Sequence, residues 1–327
     1  MPSPDLQSAR IVAGALALLA REIREVGPPV DLWSPSLPPG FISEVAARVG
    51  RGEAAPLWVE ERHPARGLAI YSPSPWESEF FGFGTARLLG PFMVAERQRD
   101  RENRVRKLAR LAIDRALAGQ ARLITLKTFH DPAVLRGFLG EGFIMAEIGA
   151  TLERPAPDEE APAAVPAGFV FLGETELRPA GMAAEAATAL GDFFYDGHYR
   201  HDPTPGPETA CRMWRQTVLE DLTGAAAPVL ALWDGRKDRL AAVATARIAA
   251  NEAALSILAV TRPYRRRGLG RLILLEMLNR LRGKSAIIRA ETASYNLPAL
   301  RLYHSLGFVN AAPLAALHYH VHTEGLK

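Results

Sequence analysis

The sequence predicts an α/β fold, a mixed and mostly antiparallel sheet flanked by helices, built as two tandem copies of which the first is degenerate. Three observations carry this reading. Strand-like and helix-like runs alternate through both halves of the chain. A proline-rich acidic stretch, "PAPDEEAPAAVPA", divides the halves. A helix-length motif near the end of the first half returns near the end of the second.

Length and composition agree. The 327 residues exceed one ordinary domain, and 48% are apolar, enough for two cores. A net charge of +3, with the basic residues spread out, argues against a nucleic-acid binder. Cys211 is the sole cysteine, so there is no disulfide framework and no thiolate metal site, and a reducing cytoplasmic setting fits. The opening "MPSPDLQSAR IVAGALALLA REIREV" has an apolar run too short for a spanning helix, which needs about 20 apolar residues. It reads as a short amphipathic or buried helix followed by a turn at "GPPVD".

In the first half, "PLWVEE", "GLAIYS" and "TARLLGPFMV" read as strands and "ENRVRKLARLAIDRAL" as a helix. "ARLITLKTF" is a strand, "DPAVLRGFLGEGF" is helical and "IMAEIGATLE" is a strand. Residues 155–167 form the expected linker, separating a first domain at 1–154 from a second at 168–327. The second opens with the strand "GFVFL" and the helix "AGMAAEAATAL". The loop "GDFFYDGHYRHDPTPGP" and the helix "ETACRMWRQTVLEDL" follow. The runs "PVLALW", "LAAVATARIA" and "AALSILAV", joined by tight turns, predict an antiparallel meander. "RLILLEMLNRLRGK" is a helix stopped by Gly283, "SAIIRAE" a strand, "NLPALRLYHSLG" a helix with Pro298 in its first turn, and "AALHYHVH" a last strand. The pair "HDPAVLRGFLGEGF" and "YNLPALRLYHSLGF" implies an internal duplication of roughly 150 residues.

The second copy carries a stretch that the first lacks. "VTRPYRRRGLGRLILL" ends a strand, turns through two glycines and enters a helix. Glycines let backbone approach a ligand, and a helix start offers unpaired N–H groups and a partial positive charge. Arginines add charge and forked donors, so a diphosphate is the natural guest. The phosphate-loop lysine is missing and the spacing differs from dinucleotide fingerprints. Taken alone, the stretch reads equally as a solvated basic turn.

"VTRPYRRRGLG" together with "NLPALRLYHSLGF" resembles the GNAT superfamily of acyl-CoA N-acetyltransferases. One departure is that Pro263 stands a place later than usual, which implies a small change in the turn. The resemblance implies two tandem GNAT-like domains, acetyl-CoA as acyl donor and no metal. It implies that Leu258, Ala259 and Val260 line the pantetheine arm. Arg265, Arg266, Arg267, Gly268, Leu269, Gly270 and Arg271 would wrap the pyrophosphate. Asn296 would hydrogen-bond the pantetheine, and Tyr303 would act as general acid. The chemistry fits, because a phenol with a pKa near 10 is protonated at neutral pH and can supply a departing thiolate with its proton.

For the base that relieves the attacking amine of its proton, the candidates are Asp192, Asp196, His198, His201, Asp202 and Glu291, acting directly or through water. Most of them read equally well as exposed loop polars or substrate contacts. Phe193, Phe194, Tyr195 and Tyr199 in the same loop read as an acceptor lining or as core. His318, His320 and His322 share one strand face without a carboxylate or cysteine to complete a metal set.

"PSPWESEFFGFGTARL" is similar to the entry of tandem enzymes of the dTDP-fucosamine acetyltransferase type. That likeness implies a nucleotide-linked amino sugar as acceptor. Other small amines such as an aminoglycoside or polyamine, a protein amine, and a non-catalytic CoA-binding sensor remain alternatives. The expected partner is a small-molecule amine, with no nucleic acid and no membrane, for a monomer or homodimer.

Overall fold

The computed structural model describes residues 14, 41–59, 67–93, 98–129, 131–156, 164–177, 182–191, 197–249 and 251–321. The expected N-terminal helix lies outside these residues except for Gly14, as do most of the linker and His322.

In chain order the first elements are α1 (Phe41–Gly50), β1 (Ala55–Val59), β2 (Gly67–Pro73), α2 (Pro75–Phe81) and β3 (Thr85–Met93). Then come α3 (Gln98–Ala118), β4 (Leu123–Phe129), α4 (Pro132–Leu139) and β5 (Ile144–Pro155). β6 (Phe169–Leu172), the single turn α5 (Glu174–Leu177), α6 (Met182–Gly191) and α7 (Gly206–Glu220) lead to the meander β7 (Val229–Asp234), β8 (Arg239–Ala249) and β9 (Glu252–Val260). The chain closes with α8 (Leu269–Leu281), β10 (Ile287–Ala293), α9 (Leu297–Ser305) and β11 (Val309–His320). The helix α2 was not expected from the sequence. Pro75 pre-sets its first turn, and Gly82, left-handed at φ 72°, ends it.

By contacts the chain forms two compact units. Unit 1 comprises Met1–Ile148 with Pro313–Lys327, and unit 2 comprises Gly149–Ala312. The boundary therefore differs from the linker-based division at 154 and 168. Residues 149–155 of β5 pair with β10 in unit 2, and residues 314–320 of β11 pair with β4 in unit 1. Each unit is a mixed sheet with one parallel pair, β3 with β4 in unit 1 and β9 with β10 in unit 2; the other strand pairs within each are antiparallel.

Alternation along the strands feeds a core on either face of each sheet. In β2, Ala69 and Tyr71 pack with α3 and α4, whereas Leu68 and Ile70 pack with Val45 and Val49 of α1. In β7, Leu230 and Leu232 join the core under α8, while Val229, Ala231 and Trp233 join that under α6 and α7.

The duplicated motif folds alike in both units. Asp131 caps α4 by accepting from the N–H groups of Ala133 and Val134, at 2.8 and 2.9 Å. Asn296 caps α9 by accepting from Ala299 N–H at 3.3 Å. Phe138 meets Phe143 at 5.0 Å between ring centroids, and Tyr303 meets Phe308 at 5.2 Å. Asp131 is buried and also ion-paired to Arg101. Asp131→Ala is expected to lower stability by about 2 kcal/mol, through a lost cap and a lost ion pair to the half-buried Arg101. Urea unfolding checks this, and a loss under about 0.5 kcal/mol would refute the account.

Candidate active site

In unit 2 the parallel register between β9 and β10 runs from Glu252 opposite Ile287 to Leu255 opposite Ala290 and stops there. Both strands continue, to Val260 and Ala293. The cause lies in β9. Thr245 of β8 faces Ile257 and Ala246 faces Leu255, so Ser256 is an extra residue. Such a bulge bends its strand, and the ladder between β9 and β10 ends where it falls. Leu258, Ala259 and Val260 remain paired to β8 through Ala244, Val243 and Ala242. Leu258 and Val260 lean on the core under α8, and Ala259 leans on the opposite one.

The loop after Val260 is held from below. Thr261 donates its hydroxyl to the carbonyls of Leu240 and Ala241. A 3₁₀ turn over Arg262–Tyr264 follows. The buried Tyr264 donates to Asp234 Oδ2 at 2.8 Å, while Asp234 Oδ1 accepts from the N–H groups of Arg236 and Lys237. Burial pushes the Asp234 carboxyl upward, but the Tyr264 hydroxyl and these two N–H groups outweigh it and hold the carboxyl below its ordinary range. Burial and the bond to Asp234 push the Tyr264 phenol up.

Arg266 at φ 59° and Gly268 at φ 75° are both left-handed. A turn of this kind gathers backbone N–H groups at one mouth, here directly before the positive start of α8. Sequence reasoning gave all four arginines to an anion, but three have partners inside the unit. Arg265 Nε donates to Val260 O at 3.1 Å. The Arg267 guanidinium lies 5.5 Å from the Tyr264 ring centroid. Arg271 Nη1 donates to Ser305 O and Oγ, both at 3.3 Å. The Arg266 side chain has no partner among the described residues.

Gly270 is where the parts meet. A Cβ there would lie 3.4 Å from Leu302 Cδ2 and 3.5 Å from Val260 Cγ2, so the first turn of α8 abuts both the end of β9 and the helix carrying Tyr303. Leu269 is buried behind it. Tyr303 is 5% exposed and its ring packs in the core with Phe308. Its hydroxyl has no hydrogen-bond partner among the described residues, and burial pushes its phenol well above the ordinary tyrosine value. Asn296, besides its cap, donates from Nδ2 to Thr292 Oγ1 at 3.0 Å. Its amide is thus already engaged on both ends.

Of the candidate bases, Glu291 is exposed on β10, one residue beyond the last pair with β9. His201 Nε2 lies 3.1 Å from the hydroxyl of Tyr295, in the turn between β10 and α9, which ties the 197–205 loop to the same end of the sheet. His198 stacks on Tyr199 at 4.0 Å. Asp202 is buried and accepts from Thr204 N–H, so it shapes the loop. Asp192, Asp196, Phe193, Phe194 and Tyr195 lie outside the described residues. No group of three or more metal-ligating side chains occurs among the described residues, and no described helix is long and apolar enough to cross a membrane. His318 is fully buried in unit 1.

Sequence reasoning missed Asp234, Ser256, Thr292 and Tyr295. The "DG" at Asp234 marks a hairpin turn and gives no hint that its carboxylate reaches a tyrosine thirty positions on. Ser256 sits in an unbroken apolar strand pattern.

A bulged strand parted from its parallel neighbour, a left-handed turn before a helix start and a second helix beside that turn define the site of unit 2. Residues 193–308 match the acetyltransferase (GNAT) family. Over 75 residues the chain is 37% identical to the [ribosomal protein bS18]-alanine N-acetyltransferase of Salmonella typhimurium. That match covers 23% of this chain, which spans about half the length (51%) of that relative. A tandem GNAT protein from the clavulanic acid biosynthesis pathway is similar in fold, with a TM-score of 0.60 and 18% identity over 95% of each chain. A GCN5-related N-acetyltransferase from Sphaerobacter thermophilus has a TM-score of 0.59 and 15% identity, over 96% of this chain and 93% of that one. The match to the acetyltransferase (GNAT) family is confined to residues 193–308 of the 327.

The Asp234–Tyr264 bond sets a pH dependence. A carboxyl with a depressed folded pKa contributes stability that is present above its unfolded value and lost as pH falls through the folded one. Tyr264→Phe removes one donor, so the folded value rises toward the ordinary one and acid destabilisation begins at higher pH. Urea midpoints between about pH 2 and 6 for both proteins measure this. Superimposable acid limbs would show that the bond does not hold the carboxylate.

Proposed function

We propose that unit 2 is an N-acetyltransferase that moves the acetyl group of acetyl-CoA to a primary amine. The left-handed turn at Arg266 and Gly268, set before α8 and beside the bulged strand, is the observation that carries the reading. The N–H groups of 266–270 receive the pyrophosphate, with Arg266 as the uncommitted cation. The freed edge of β9 at Leu258–Val260 pairs with the pantetheine amides. The amine nitrogen attacks the thioester carbon and an oxyanion forms, stabilised by backbone N–H near Ala259 and Val260. Collapse breaks the C–S bond, and Tyr303 gives its phenolic proton to the thiolate. Burial keeps that phenol protonated throughout the neutral range. The proton shed by the amine goes to Glu291 or His201, directly or through water.

For the acceptor, a small polar amine is favoured, with a nucleotide-linked amino sugar as the leading class. The tandem arrangement and the "WESEFFGFG" stretch support it. The stretch also has structural work, because Glu77 is fully buried and holds Arg87 at 2.6 and 2.8 Å. A protein amine is the second reading, favoured by the matched relative, whose own substrate is a ribosomal-protein alanine.

Tyr303→Phe is expected to lower kcat by about 100-fold while leaving acetyl-CoA affinity unchanged. Gly270→Glu, which drives a carboxylate into the contact between Val260 and Leu302, is expected to abolish acetyl-CoA binding in calorimetry. Single Arg→Ala changes at 265, 266 or 267 only weaken it. Thiol release over a panel of nucleotide amino sugars, aminoglycosides, polyamines and peptide N-termini identifies the acceptor. Acetyl-CoA binding without thiol release from any of them would make the chain a sensor, and no binding would overturn the proposal.

A further inference from the structure

Unit 1 contains a cavity of about 310 Å³ at the C-terminal end of α3 and the beginnings of β3 and β4. It lies about 25 Å along the helix from the N-terminal end of α3, where the counterpart of the unit 2 loop falls, so it is not a relic of that site. Its volume is at the small end of ligand sites.

Two side chains give it chemistry. Tyr71 is 4% exposed, with its ring in the core beside Ala69 and Leu88. Its hydroxyl reaches the turn after α3, where a Cβ on Gly119 would stand 3.9 Å from it. That hydroxyl has no hydrogen-bond partner among the described residues and borders the cavity, where it can donate to a ligand. Arg115, in the last turn of α3, also lines the cavity and has no carboxylate partner among the described residues. Burial pushes the Tyr71 phenol up and the Arg115 charge acts against it, so the two groups lie within electrostatic reach of each other.

The remaining walls narrow the ligand. Ser78 also lines the space, but its hydroxyl is committed, donating to Ser74 O and accepting from Thr85 N–H. Pro73, Ala118 and Ala121 are apolar. Thr85 lines it too, its hydroxyl turned to the carbonyl of Phe83. One guanidinium and one phenolic donor, beside the apolar Pro73, Ala118 and Ala121, fit a single negative charge with a short hydrocarbon body. A dianion is disfavoured because the carbonyl end of α3, with its partial negative charge, lies alongside.

We propose that this cavity binds a small monocarboxylate, with the Arg115 guanidinium forked onto the carboxylate and the Tyr71 hydroxyl donating to one of its oxygens. The site is independent of the acyl-transfer reading of unit 2.

Saturation-transfer NMR on the full chain tests it. The probes are straight-chain monocarboxylates from acetate to hexanoate, their primary amides, and inorganic phosphate. At least one carboxylate is expected to bind at about millimolar affinity, with its amide at least about tenfold weaker. Tyr71→Phe, which keeps the ring and the core, and Arg115→Gln, at an exposed position, are each expected to weaken the carboxylate about tenfold. Should Tyr71→Phe fail to fold, Arg115→Gln decides alone. Absence of saturation transfer to every carboxylate, binding indifferent to these substitutions, or a preference for phosphate would overturn the proposal.

Discussion

One extra residue in one strand governs the architecture of unit 2. Without Ser256, β9 would stay in register with β8 and continue its parallel ladder with β10, and the end of β9 would be an ordinary interior strand. The bulge ends that ladder at Leu255, so the last residues of β9 keep one hydrogen-bonded neighbour instead of two. Backbone polar groups left unpaired inside a protein carry a cost unless another partner is supplied. In the function proposed for unit 2, that free edge is what an extended, amide-bearing ligand would pair with. The other features of the site are placed around that edge.

The anchoring follows from it. A loop that leaves a splayed strand has lost the support of one neighbour, and unit 2 replaces that support with side chains. Thr261 ties the exit of β9 to β8, and Asp234 holds Tyr264 below the turn. Arg265 returns to the last carbonyl of β9, and Arg271 bridges to the end of α9. The positive stretch is thus mostly scaffolding. It fixes the backbone whose N–H groups would do the receiving in the function proposed, so that reading puts more weight on glycine and left-handed geometry than on the number of charges. Gly270 adds the remaining constraint by letting α8 and α9 approach across the end of β9.

Much of this was legible in the sequence because it rests on local signals. The meander, the α8 boundaries with left-handed Gly283 at the stop, and the α9 cap at Asn296 are all written in residues within a few positions of the feature. What stayed hidden is non-local. The residues of β5 and β11 alternate in the same way whichever sheet receives them, so nothing in either run tells that 149–155 groups with unit 2 and 313–327 with unit 1. The bulge at Ser256 breaks no pattern that a reader of side chains can see, because it is a mismatch of count against β8. Asp234 looks like a turn residue, which it is, and its second bond is a tertiary fact. The helix α2 was missed because its aromatic run obscures a proline start and a glycine stop.

The first copy shows how the same framework is closed. Phe138 occupies the place in α4 that Tyr303 holds in α9, with the same ring contact and no hydroxyl, so unit 1 offers no proton there. The glycine and the bulky residue at the helix contact are reversed: Gly137 of α4 takes the close approach, and its Cβ would fall 2.5 Å from Val105 of α3. The helix α3 begins about two turns before Val105, whereas α8 begins immediately before Gly270, so helix runs through the space where unit 2 presents its receiving turn. A helix start cannot receive an anion where the helix is already several residues old, since its N–H groups there are bonded to carbonyls within the helix. The missing hydroxyl and the missing helix start are thus separate differences: on the reaction proposed for unit 2, the first would slow proton delivery and the second would remove the anion site. Retaining the caps, the core and one parallel strand pair in unit 1 preserves a stable framework.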